Sequence, residues 1–232
     1  MYGTDYKLSY KNNTTAVSSK KSPEVVVTGI KNFKGTRTLS FAITTQDIGL
    51  LTMNASDKVY SKKAGAYKTK LSVTDLDGKV LTAGKDYGKT FRYTYASQTT
   101  LADGRIRGEG ETVGDKDIVP SGTVLNVTIT GMNNYTGTLT GQYRITEYDL
   151  SKVKVTVENQ IYTGKAIEPG ENDITVTFQG RKLTYGTDYD IAGYTNNVRK
   201  GNAKLTIRGI AQFGGTKTAT FRIKSKTVVW WK

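Results

Sequence analysis

The sequence predicts an all-β protein: tandem β-sandwich modules in an extended array, with no substantial helix. Three observations carry that expectation. Strand formers dominate, with Thr, Tyr and Val joined by Gly and Asn, while proline occurs only at Pro23, Pro120 and Pro169. No segment of ten or more residues keeps a helical period, whereas Tyr6, Leu8 and Tyr10 alternate as a half-buried strand does. One stretch also occurs three times without a gap, at Gly29–Ile43, Gly131–Ile145 and Gly209–Ile223. Spacing held in three copies is a repeat, not chance.

Each repeat is read from its landmarks. The first is Gly-x-Asp-Tyr, at Gly3–Tyr6, Gly84–Tyr87 and Gly186–Tyr189. Its Asp is expected to accept backbone hydrogen bonds and fix the turn before the next strand. In the first and third copies a Tyr-x-Asn-Asn turn follows, Tyr10–Asn13 and Tyr194–Asn197, where Asn supplies turn dihedrals. The closing stretch runs from its Gly through an aromatic (Phe33, Tyr135 or Phe213), a Gly-Thr pair and a second aromatic (Phe41, Tyr143 or Phe221) to an Ile. These aromatics are expected to fill a thin core between two sheets. An opening strand precedes the landmarks in two copies, marked by Tyr60 and Tyr162 and followed by the turn residues Gly78 and Gly180.

These registers divide the chain into 1–43, the C-terminal half of a repeat; 44–145 and 146–225, complete repeats; and 226–232, a tail strand. Because the first copy lacks its opening half, either the chain is a fragment or another chain completes the module by strand donation. The middle repeat carries an insertion at about 94–121. Long insertions at a hairpin tip cost little stability and often carry function. Arg105 and Ile106-Arg107 are expected to pair with Ile118-Val119 as a projecting ribbon. The tail holds both tryptophans, Trp230 and Trp231. It reads first as a strand on the last module, otherwise as a short inter-domain strand, a donated strand or an aromatic contact surface.

Composition removes several chemistries. With no Cys and no His, disulfides, thiol nucleophiles, Cys/His zinc sites and His-based triads are excluded. Met1 is followed by a polar stretch rather than an apolar leader, and no run approaches the ~18 apolar residues of a membrane-spanning helix. The net charge of +14 is spread out. Basic side chains outnumber acidic ones seven to two in 1–43, thirteen to ten in 44–145 and fourteen to eight in 146–232. A Lys-decorated surface explains this; attraction to an anionic wall polymer, an acidic glycan or nucleic acid is the sharper reading. No nucleic-acid recognition motif is present.

Candidate chemistry is sparse. Glu109, Glu111, Asp115 and Asp117 in the insertion, and the Asp75-Leu76-Asp77-Gly78 turn, suggest Ca²⁺ as the one conceivable cofactor, although ordinary solvated turns are favoured. Glu109 and Glu111 match a glycosidase pair by residue type alone, so no catalytic residue is assigned. No lysine can be nominated for an isopeptide cross-link. A glycan site would use exposed aromatics beside amides: Tyr93, Tyr95 and Gln98 at the insertion root, or Trp230 and Trp231. Arg105 and Arg107 complete the candidate contact surface.

Taken together, the landmarks resemble the Ig-like repeats, often called MBG-type, of large surface proteins in gut clostridia and other Gram-positive bacteria. The third repeat shows every part, from Tyr162-Thr163-Gly164 through Gly186–Tyr189, Tyr194–Asn197 and Ala203–Gly209 to Phe213–Ile223. The second departs, with Tyr60-Ser61-Lys62 at its opening and the insertion in place of the Asn-Asn turn. The resemblance implies Ig-like β-sandwich modules strung as a non-catalytic stalk, on a bacterial surface or otherwise extracellular. Its expected partners are neighbouring modules or subunits of a larger assembly. Two alternatives are a virion or filament subunit assembled by strand exchange, and a glycan-binding module of a larger secreted enzyme.

Overall fold

The computed structural model describes residues 1–16 and 22–225. The protein is all-β: its helical part among the described residues is three single 3₁₀ turns, Ile48–Leu50, Leu150–Lys152 and Glu171–Asp173. No helix among them is long and apolar enough to cross a membrane. The chain forms two compact units, Met1–Asn54, Leu71–Arg92 and Val127–Gly141 in one, and Ala55–Lys70, Tyr93–Asn126 and Gln142–Lys232 in the other. Strands Arg92–Tyr95, Val124–Thr130 and Thr138–Thr146 of the middle repeat contribute residues to both.

In the first unit, Tyr6–Lys11, Glu24–Gly29 and Thr36–Ser40 form an antiparallel three-stranded sheet. A separate core gathers Ile48, Leu51, Val73, Leu81, Tyr87, Ile129, Tyr135 and Leu139. Gln46–Asp47 joins it by pairing in parallel with Tyr135–Thr136.

In the second unit, the third repeat is a β-sandwich. One sheet holds Lys154–Val157, Ile174–Phe178 and Arg181–Lys182; the other holds Gln160–Ile161, Thr216–Lys224, Gly201–Gly209 and Tyr189–Thr195, in that order. Alternate residues of Gly201–Gly209 are buried, so Ala203, Leu205 and Ile207 face a core completed by Leu150, Val176, Leu183, Phe213 and Phe221. Period-2 alternation puts one side of each strand in that core and leaves the other in solvent. On the solvent side, the Thr206 and Thr218 hydroxyls hydrogen-bond across the strands at 3.0 Å.

The landmarks form one recurring backbone device. The Gly-x-Asp-Tyr Asp accepts from the backbone N–H four residues earlier: Thr82 to Asp86 at 2.8 Å and Thr184 to Asp188 at 2.9 Å. Asp5 stands in the same position and takes the N-terminal ammonium of Met1. The Asp carbonyls then accept from Ile30, Met132 and Ile210 at 2.9, 2.9 and 3.0 Å, tying the turn to the closing hairpin. Within that hairpin Gly29, Gly131 and Gly209 donate to Gly35, Gly137 and Gly215 at 3.0, 2.9 and 2.9 Å. A backbone passes directly over the first Gly: a Cβ on Gly209 would stand 2.4 Å from the Phe213 carbonyl oxygen. Asn12 and Asn196 take the left-handed dihedrals expected of the Asn-Asn turn.

Candidate functional site

The insertion links Asp103, Arg105, Arg107, Glu111 and Asp117 through a chain of ion pairs. It is not a loose tip. Its second half folds back along the strand Arg92–Tyr95. The backbone N–H of Tyr95 donates to Glu111 at 3.0 Å, Gly110 to Tyr95 at 2.8 Å, and Val113 to Tyr93 at 3.0 Å. Leu101, Val113 and Val119 are buried. The expected ribbon is corrected here, because Ile106–Arg107 pairs with Thr99–Thr100 instead of Ile118-Val119. Val119 is drawn inward as core, which leaves that segment nothing to offer a ribbon.

Asp117 lies at the centre and is almost fully buried, contrary to a solvated acidic turn. Arg107 clasps it through two nitrogens, Nε to Oδ2 at 3.1 Å and Nη2 to Oδ1 at 2.8 Å. The Arg105 guanidinium reaches Oδ1 at 3.1 Å. The Tyr95 hydroxyl and the Gly114 N–H donate to Oδ2 at 3.0 and 2.9 Å. Burial works against the charged form, but Arg107, the Gly114 N–H and the Tyr95 hydroxyl outweigh it and hold the carboxyl below its usual range. Burial, then the hydrogen bond to Asp117, raises the Tyr95 hydroxyl. Glu111 accepts from Gly108 N–H at 2.9 Å and from Arg107 at 2.6 Å, and both contacts lower its pKa.

Such a network can hold a loop; it is poorly placed to move protons. Asp117 has donors on both oxygens, and Glu111, half of the glycosidase-type pair, is an ion-pair partner beside an exposed Glu109. Asp115 is exposed, 3.6 Å from the Lys68 ammonium. At the other acidic turn, Asp75 Oδ1 accepts from Asp77 and Lys79 N–H at 3.0 and 2.9 Å, so this carboxylate oxygen braces its own loop.

The aromatic contact residues fare differently. Tyr93 and Tyr95 are buried, and Tyr93 packs edge-on against Tyr67 at 5.3 Å and Tyr143 at 6.3 Å. They are core, not a glycan platform: the strand turns both inward, Tyr67 and Tyr143 pack on Tyr93, and Asp117 of the folded-back insertion takes the Tyr95 hydroxyl. Gln98 and Arg105 are exposed, while Arg107 is mostly engaged with Asp117 and Glu111. The Trp230 and Trp231 proposal falls in 226–232, outside the described residues.

A second polar cluster was not anticipated. Arg144 pairs with Asp57 at 2.7 Å and donates to the Gly209 and Phe213 carbonyls at 3.1 and 3.3 Å. A middle-repeat arginine thereby braces the closing hairpin of the third repeat. The sequence signal was weak: this is one arginine in a strand, with Asp57 far away in sequence.

No family model matches the chain, and no curated protein matches it either. Among solved structures it is similar to extracellular cadherin domains 1–4 of protocadherin gamma B7, at 12% identity and a TM-score of 0.20. That match covers 96% of this chain and 66% of the protocadherin chain.

Proposed function

We propose that the chain is a non-catalytic structural or adhesive protein, a stalk of Ig-like modules that projects or assembles components outside a bacterial cell. The observation that carries this reading is the closing hairpin. In all three repeats the same backbone groups make the same bonds, and the Gly-x-Asp-Tyr carboxylate takes the main-chain nitrogen four residues earlier, an amide in two repeats and the N-terminal ammonium in the first, so the repeated residues are used in architecture. Repeats that bury their cores locally and touch only neighbours stack into rods. The MBG-type resemblance supports the same reading, in which the stalk works at a Gram-positive surface.

Light scattering with small-angle X-ray scattering tests the stalk. A monomeric rod is the expected result, and a compact particle would refute it. A filament or virion subunit is the second reading, favoured by the exposed apolar residues of the first repeat, among them Phe33 and Leu39. It requires ordered oligomers instead.

A further inference from the structure

The repeat allows an internal comparison of one surface in three settings. In the second and third repeats the aromatic of the closing hairpin is covered: Tyr135 is 8% exposed and Phe213 0%. Its equivalent Phe33 is 58% exposed. The second aromatics, Tyr143 and Phe221, are 3% and 2% exposed, against 38% for Phe41. Val127 and Ile129, and Leu205 and Ile207, are fully buried, whereas Val25 and Val27 are only half-buried.

Register puts these residues on one side. Tyr10 pairs with Val25 and Val25 with Leu39, and Leu8 pairs with Val27, so all five share a face. The opposite face carries Lys7, Ser9, Lys11, Glu24, Thr28, Thr36, Thr38 and Ser40 around one buried apolar residue, Val26, and the first face also holds Arg37, opposite Val27. A sheet with its polar side finished and its apolar side open lacks a layer.

The other repeats show what that layer is. Gln46–Asp47 and Tyr148–Asp149 pair in parallel with Tyr135–Thr136 and Phe213–Gly214. Their first N–H groups donate to the Asn134 and Gln212 carbonyls, both at 2.9 Å. Asp47 and Asp149 then cap a 3₁₀ turn, accepting at 2.8 Å from Gly49 and Ser151, which buries Ile48 or Leu150 completely. Further on, Lys58–Val59 and Gln160–Ile161 pair in parallel with Ile145–Thr146 and Ile223–Lys224. The matching positions in the first repeat are the Asn32 carbonyl, Phe33-Lys34 and Ile43-Thr44. The space is there too. Beside a Cβ position on Gly137 the Asp47 carboxylate stands at 2.5 Å, while Gly35 has nothing within 4 Å. A depression of about 510 Å³ lined by Asp5, Tyr6, Val27 and Phe33 occupies the spot.

We propose that this face docks an opening half-repeat: a polypeptide segment outside residues 1–232 that lies on it as 146–185 lies on 186–225. The segment has a residue-Asp-aliphatic 3₁₀ turn, followed by apolar strands that complete the sandwich. Charge favours a segment like 146–185, which holds six acidic and five basic side chains, against the basic excess of 1–43. This rests on the repeat geometry and the charge balance, so it stands or falls independently of the stalk reading.

The test adds a synthetic peptide with the sequence of residues 146–185 to the full chain. It should bind and slow amide exchange across 24–41 by about tenfold or more. Phe33→Asp should weaken binding by about tenfold or more, and Thr38→Asp, on the opposite face, should leave it unchanged. Exchange across 6–11 and 24–29 in each variant without peptide, compared with the parent chain, checks that its first sheet stays folded. Fusing the same segment ahead of Met1 gives an intramolecular version of the contact, for which equal slowing is expected. No slowing in either format overturns the proposal, as does binding that survives Phe33→Asp. A dimer that Phe33→Asp disperses and the peptide cannot displace gives the face to a second copy, and also overturns it.

Discussion

Asp117 has the environment of a buried ion-pair centre, and its role is decided by what surrounds it. Two arginines, a tyrosine hydroxyl and a backbone N–H satisfy its oxygens. Removing the charge leaves Arg107 half-buried and short of a partner. Asp117→Asn is expected to cost about 2 kcal/mol or more, less than the ~3–5 of a fully buried pair because Arg107 and Arg105 reach solvent. Urea denaturation measures it, and an unchanged midpoint would count against the network. The sign with pH follows from the lowered carboxyl pKa. Stability from Asp117 is complete above its unfolded value, about pH 4, and is lost as pH falls through the folded value. Thermal melting followed from neutral to acid pH should therefore drop less steeply in Asp117→Asn than in the parent chain. Equal slopes would place the acid sensitivity elsewhere.

The three closing hairpins share a backbone but not an environment, so equivalent substitutions should have unequal effects. Leu205 is fully buried between two sheets, and Leu205→Ala creates a cavity worth about 2–5 kcal/mol. Val25 holds the equivalent place on the open face and is half-buried. Val25→Ala should cost about 1 kcal/mol or less, since water already reaches the site. Equilibrium denaturation of the two variants makes the comparison. Similar losses would mean that the first sheet has a cover in solution. The insertion teaches a related point. Its glycines and charges read as a projecting loop, yet Leu101, Val113 and Val119 anchor it as a packed element.

Charge is a property of the whole molecule. Its positive excess occurs in all three regions of the sequence, so attraction to an anionic wall polymer would be diffuse. Binding to a polyphosphate matrix is expected to weaken steadily with salt, because screening at about 0.15 M already limits reach to roughly 8 Å. No single Lys→Glu exchange should abolish it. A single lysine whose loss removes binding would reveal a built site instead.

The all-β class, the repeat and the positions of its turns were legible in the sequence. They depend on short-range rules: period-2 alternation, Asn and Gly dihedrals, and an Asp reaching a backbone N–H four residues away. Asp86 and Asp188 needed only their own turns to be interpreted. The fate of Tyr93, Tyr95 and Asp117 was not legible. A tyrosine on an alternating strand faces core or solvent according to what packs on it, here Tyr67 on Tyr93 and Asp117 against the Tyr95 hydroxyl, both distant in sequence. The Arg144 clasp on Asp57 and the Gly209 and Phe213 carbonyls was hidden for the same reason, being made across 65 or more positions of sequence. Local sequence determined how each hairpin turns. Only tertiary packing decided which side chains it hides, because burial is set by the layer laid over a strand and not by the strand itself.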